Sequence, residues 1–132
     1  MGKLNLLLDT HIFLWWLFDA PDLSEKIRAM ISSRENTVYI SPASVWEIAT
    51  KYRIGKLPHA DAVAKNVPYW IDQAGFTPLP ITPDHAQLAG SWPQPHRDPF
   101  DRMLAAQSKL ESMALISVDK QMKMFPIQVI DN

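Results

Sequence analysis

The chain contains no cysteine, so neither a disulfide framework nor a thiolate metal site can form. That absence fits a reducing cytoplasm. No apolar run is long enough to cross a membrane. The most apolar stretch, LNLLLDTHIFLWWLF, is interrupted by Asp9 and His11 and falls short of the ~20 residues a span requires. A signal peptide is not expected either, because only Lys3 precedes that stretch and no small-residue cleavage site follows it. A soluble, cytoplasmic protein with no membrane association is therefore expected. Basic excess is missing too: 13 Lys+Arg stand against 14 Asp+Glu, a formal net charge of -1. Nucleic-acid-binding modules usually carry a positive surplus, so any such function here must come from a local site. Internal repeats, low-complexity runs and linkers are likewise absent.

What is present is apolar mass, 47% of 132 residues, enough for a sizeable core in one domain, 1–132. Residues 4–8 are nearly all apolar and read as a strand buried on both faces of a parallel sheet. A largely buried helix is expected over 10–18, and an amphipathic one over 23–32 with Ser24 as N-cap. The strand TVYI (37–40) runs into Ser41-Pro42, a helix start whose helix should stop near Gly55. A helix over 60–74 contains Pro68, which should kink or break it, and Gly75 ends it. A short strand over 76–80, a small helix over 83–89 and a helix from Asp98-Pro99 follow. Strands at 114–118 and 127–130, with a helical turn between them, complete the chain. This alternation predicts an α/β fold, a three-layer α/β/α sandwich around a mainly parallel central sheet.

The acids fall at particular places on this scaffold. Asp9 directly follows the first strand, and Asp119 follows the strand ALISV. Asp98 and Asp101 open a helix, and Glu47 lies almost two turns into another. Ligands of open parallel sheets bind beyond the carboxyl ends of the strands, so these acids are expected around one cleft. Gathered carboxylates repel one another unless a cation sits among them, and oxygen donors without cysteine favour magnesium or manganese over zinc. Two such ions about 3.5–4 Å apart would suit phosphodiester hydrolysis. Each acid also has a plainer explanation. Asp98 can be an N-cap, Asp101 an acid complementing the helix dipole, Asp119 a cap, and Glu47 the partner of Lys51 in an i,i+4 pair.

Four blocks, LLLDTHIFLWWL, SPASVWEIATKYRIGKL, HRDPFDRMLAAQS and LISVD, resemble in order and spacing those of PIN-domain proteins. The likeness is greatest to the VapC-like toxin branch that carries an HRDPFDR segment. The resemblance implies an acidic quartet of Asp9, Glu47, Asp101 and Asp119, with Asp98 either a further ligand or only a cap. It assigns supporting hydroxyls to Thr10 and Ser117. It further implies an endoribonuclease using Mg2+ (or Mn2+), an RNA substrate, a homodimer and an antitoxin partner. Departures from the pattern are mild: Ser108 replaces a usual alanine, and MKMF precedes a less aromatic ending than usual near Phe125.

Lys51, Arg97 and Arg102 are candidates to hold RNA phosphates beside the acids, although for Arg97 and Arg102 the favoured reading is pairing with the carboxylates to orient them. The histidines show no HExxH-type spacing; His11 is expected to pack near the first helix, and only His96 lies near the acids. Most of the five tryptophans should be core, with Trp15 or Trp16 free to face a protein partner. A catalytically silent PIN scaffold is the alternative function, disfavoured because all four acids are present. A haloacid-dehalogenase-type phosphatase would want an aspartate where His11 stands.

Overall fold

Strand β1 (Asn5–Leu8) places Leu6, Leu7 and Leu8 wholly out of solvent, each contributing about 1.5–3 kcal/mol by burial. The structure, a computed structural model, describes residues 3–132; the first two residues of the expected domain lie outside it. Around β1 lie α1 (Thr10–Leu17), α2 (Glu25–Ser32), β2 (Thr37–Ile40) and α3 (Pro42–Arg53). A 3-10 turn at Pro58–Ala60 leads to α4 (Asp61–Ala64), α5 (Val67–Gln73), β3 (Thr77–Pro78), α6 (Pro83–Ser91) and α7 (Pro99–Glu111). β4 (Ala114–Ser117), a second 3-10 segment (Lys120–Met124) and β5 (Val129–Asp131) follow.

All five strands are parallel, in the order β3-β2-β1-β4-β5. The chain winds from β1 out to β2 and β3, then returns to β4 and β5. The direction thus reverses between β1 and β4, where a sheet of this kind leaves a crevice beyond the strand ends. Alternation along β1 and β4 separates two cores. Leu6, Leu8, Ala114 and Ile116 pack with Ile12, Phe13, Ile27 and Ile71, whereas Leu7 and Leu115 face Leu104, Ala105, Met122 and Phe125. The three-layer α/β/α expectation is borne out, and the sheet is wholly parallel among the described residues.

Local chemistry explains most boundaries. The Ser24 hydroxyl caps α2 by accepting the Ile27 amide, and Ser41 caps α3 through Ala43 with Pro42 at the first position. Gly55 and Gly75 take the left-handed backbone that closes the preceding helical stretches, at φ 82° and 76°. Ser108, unusual at its position, donates its buried hydroxyl to the Met113 carbonyl at 2.6 Å and so leaves no polar group unpaired. His85 is buried in the cap of α6 and bonds Glu111, a structural role remote from the acids.

One expectation is met and another needs correction. The stretch 60–74 is broken, as Pro68 indicated, because Pro68 has no amide proton and cannot sit in a helix interior. Asn66 instead caps a new helix, α5, whose first turn accommodates Pro68. The tryptophans are not core residues: Trp15, Trp16, Trp70 and Trp92 are half-buried on the rims of the two cores, and Trp46 is 64% exposed. An indole is too large to be enclosed readily in a domain of this size. Neither Trp15 nor Trp16 is therefore the free one; the exposed indole is on α3. No helix among the described residues is long and apolar enough to cross a membrane.

Candidate active site

Asp9 emerges from β1 as the N-cap of α1, its Oδ1 accepting the Ile12 amide at 2.8 Å. Its Oδ2 accepts the Ser117 hydroxyl at 2.7 Å and the Val118 amide at 3.1 Å. The neighbouring strand end thereby holds the carboxylate from a residue 108 positions away. Ser117 Oγ in turn accepts the Asp119 amide at 3.0 Å, and Asp119 Oδ1 caps the following 3-10 segment through the Gln121 amide. Burial raises the Asp9 pKa even against these donors and the nearby His11 charge.

Glu47 is almost wholly buried on α3. Thr10 Oγ1 lies 2.5 Å from Glu47 Oε1 and 3.0 Å from Ser44 Oγ. A carboxylate can only accept, so the threonine proton goes to Glu47 and Thr10 receives the Ser44 hydroxyl. Lys51 closes a short ion pair with Glu47 Oε2, the i,i+4 pairing expected from the sequence. Desolvation works against the Lys51 charge, but the bond and charge of Glu47, backed by Asp98 and Asp101, raise its pKa overall. Thr10→Val should leave a buried carboxylate oxygen unpaired and cost about 1–3 kcal/mol, read by urea unfolding; an unchanged midpoint would remove Thr10 from this role.

Asp98 caps α7, its Oδ1 accepting the Phe100 and Asp101 amides at 2.9 and 3.4 Å. Asp101, one turn inside, has no backbone donor among these bonds. Burial first, then the charges of Asp98, Glu47, Asp9 and Asp119, push its pKa up to about 7. Asp9, Glu47, Asp98, Asp101 and Asp119 thus share one cavity of about 280 Å3, with Thr10, His11 and Lys51 in the same wall. His11 is exposed on the first turn of α1 and faces this cavity, rather than packing into the protein as expected.

The arginines behave differently from each other. Arg97 is exposed beside the cavity, on a second hollow of about 520 Å3 shared with Gln121 and Met124. Arg102 does not orient carboxylates. Its guanidinium donates to the carbonyls of Ala89, Trp92, Gln94 and His96 at 2.7, 2.5, 2.7 and 2.8 Å. The proline-rich loop before α7 leaves its carbonyls without helix or sheet partners, and only the arginine fork can satisfy several at once. Ser44 was missed in the sequence, although it could have been noticed as the second serine of SPAS; His96 was placed near the acids but, isolated, carried no spacing signal for a role.

A wholly parallel α/β/α sandwich with an acidic cavity at its switch point defines a sheet-edge carboxylate-site protein. Comparison with known proteins assigns it further. The chain belongs to the PIN domain family, whose profile matches residues 6–127, as the four sequence blocks indicated. It is 40% identical over 70 residues to Ribonuclease VapC16 of Mycobacterium tuberculosis (strain ATCC 25618 / H37Rv), covering 53% of this chain. The match spans about half, 48%, of that relative. Its fold is similar to that in VapBC2 from Rickettsia felis bound to a promoter DNA fragment, with a TM-score of 0.73 at 14% identity over 97% of this chain and 98% of that one. A toxin-antitoxin complex from Klebsiella pneumoniae gives 0.59 at 19% identity, over 95% of each chain. At such identities the structural likeness concerns the fold alone.

Proposed function

We propose that this protein is a divalent-cation-dependent endoribonuclease, the toxin of a toxin–antitoxin pair. One observation carries the reading: five carboxylates converge on a single cavity whose one lysine is already paired to Glu47, and burial, together with the neighbouring acids, raises Asp101 to about 7. Such a cluster is stabilised by a cation, and a donor set of carboxylate oxygens suits Mg2+ or Mn2+. Asp9, Glu47, Asp101 and Asp119 would hold it. Asp98 could add Oδ2, which its capping bonds do not use. When bound, the cation supplies positive charge against a phosphodiester and eases deprotonation of the attacking water.

The chain's own groups have separable tasks. Ser117 and the Val118 amide aim Asp9, while Thr10 and Lys51 aim Glu47. Asp101, pushed up to about 7 with no cation present, is the carboxylate whose charge a bound cation would most restore. Arg97, at the open edge, is placed to meet a phosphate of an RNA strand and offsets the absence of a global basic surplus. Lys51, in the cavity wall, could meet another. Arg102 is committed to the fold. Kinship with a relative named as a ribonuclease and the fold shared with a toxin-antitoxin complex support RNA as substrate and an antitoxin as partner. A homodimer is also proposed, and the exposed apolar surface around Trp46 is available to a protein partner.

The test is purified protein, free of any partner, incubated with total cellular RNA with and without Mg2+. Asp101→Asn is the preferred inactive control, because Asp9→Asn would set an amide group against the Ser117 and Val118 donors and disturb the fold. Discrete Mg2+-dependent cuts, lost at least a hundredfold in Asp101→Asn, are expected, on the order of the loss when an electrostatic catalytic group is removed. Absence of cutting by folded native protein with either Mg2+ or Mn2+ would favour a silent scaffold.

A further inference from the structure

We propose that His96 is a positioning residue that holds Asp119 through its Nε2–H while its Nδ1 receives the Asp98 backbone amide, so that one ring joins the end of β4 to the start of α7. The inference rests on the nuclease reading above and concerns how one of its acids is held. Asp119 Oδ2 lies 3.2 Å from Nε2 in hydrogen-bonding geometry, whereas Asp101 Oδ2, 3.4 Å from the same nitrogen, is a near neighbour without a hydrogen bond. The opposite ring nitrogen, Nδ1, accepts the Asp98 backbone amide at 3.3 Å. An imidazole nitrogen that accepts an N–H carries no proton, so in the neutral ring the proton is on Nε2, which donates to Asp119.

The three donor atoms lie within 4.8 Å of one another, a spacing that a cation could also bridge. Two observations oppose His96 as a ligand. Ligation through Nε2 would need that nitrogen deprotonated, which the Asp98 amide on Nδ1 disfavours. The side chain is also only 6% exposed, and it lines the neighbouring hollow with Arg97 and Asp98 rather than the acid cavity that Asp119 lines. It therefore reaches Asp119 from the adjoining side. The ring is itself held firmly: it stacks on Phe125 at 6.0 Å and 26°, and its carbonyl accepts from Arg102 at 2.8 Å.

This arrangement has a clear consequence. Asp119 comes from the end of β4 and the Asp98 amide from the start of α7, and the charges of the clustered acids would drive these elements apart before a cation arrives. One ring bonded to both holds them convergent. Outer-shell partners of this sort typically govern metal affinity by 10–100-fold.

The test combines two measurements on the full chain. Long-range 1H–15N NMR of the metal-free protein reads the protonated ring nitrogen directly. Nε2 protonation is expected, and an Nδ1–H ring would overturn the proposal. Mn2+ binding followed by EPR should weaken about 10–100-fold in His96→Ala and return to within a few-fold of native in His96→Gln, whose amide can donate from nearly the same place. Native-like affinity in His96→Ala, or a directly coordinated 14N signal in native protein, would overturn it. Should His96→Ala fail to fold, a loss beyond tenfold in folded His96→Gln would do the same. Native protein that binds no Mn2+ would sink the metal-dependent reading instead, and the tautomer would still decide the tether.

Discussion

Asp101→Asn is expected to make the metal-free protein more stable at neutral pH while abolishing cleavage. The Asp101 carboxyl titrates at 3.8 when unperturbed and near 7 in the fold, through burial and the charges of Asp98, Glu47, Asp9 and Asp119. Below 3.8 it is protonated in both states and contributes no difference. Between the two values the unfolded chain has released this proton and the native protein still holds it. Native stability therefore falls as pH rises through this window, by up to about 1.4 kcal/mol per pH unit, and the loss is complete above 7. The full effect is on the order of 4 kcal/mol. An asparagine stays neutral throughout and escapes it, although Asp9, also raised by burial, leaves a residual slope of the same sign. Thermal melts in EDTA from about pH 4 to 8 should show native protein losing stability across the window and the variant losing much less. Added Mg2+ should rescue the native protein above pH 7 and leave the variant little changed. A native melting temperature that is flat or rises across the window would contradict the electrostatic account of this site.

Arg102→Ala should cost on the order of 3–5 kcal/mol, a large effect for a residue that is neither wholly buried nor paired with an acid. The guanidinium joins three loop carbonyls to the Ala89 carbonyl in the last turn of α6 and lies over the Phe125 ring, 5.9 Å from its centroid. Truncation leaves those carbonyls to find water, and frees the loop that carries His96 and Asp98. Arg102→Lys should recover only part of the loss, since a single ammonium cannot span four acceptors in a plane. Urea unfolding measures both variants; a change below about 1 kcal/mol for the alanine would show that the loop does not depend on this clamp. Because the clamp also steadies His96, Mn2+ affinity should fall in the same variant, separating this arginine from one that merely contacts RNA.

Several features of the site were legible before any coordinates. Asp9 interrupts an apolar run where a strand should end, and Asp119 follows another such run, so both reach the sheet edge by topology alone. The Asp98 cap was readable from Asp-Pro, and the structure shows that cap together with a place in the cavity wall. Glu47 and Lys51 were spaced to pair on one helix face, and they do. These readings succeed because periodicity, capping and short-range pairing depend on residues a few positions apart.

Other features depended on atoms brought together from distant segments. Arg102 stands among acids in HRDPFDR, yet backbone carbonyls of residues 89–96 claim its donors. His96 had no second ligand at a telling spacing, and its value lies in bonding Asp119 and the Asp98 amide at once. The break before α5 was foreshadowed by Pro68, but its place was settled by Asn66 as a new cap. By itself the sequence determined the alternation of strands and helices, the edge on which the acids gather and the family. Tertiary structure alone decided which donors each carboxylate receives, how far Asp101 is pushed toward neutrality, and which cation serves the fold rather than the site. Those outcomes depend on burial and on hydrogen bonds across as many as 109 residues of chain, for which local pattern has no signal.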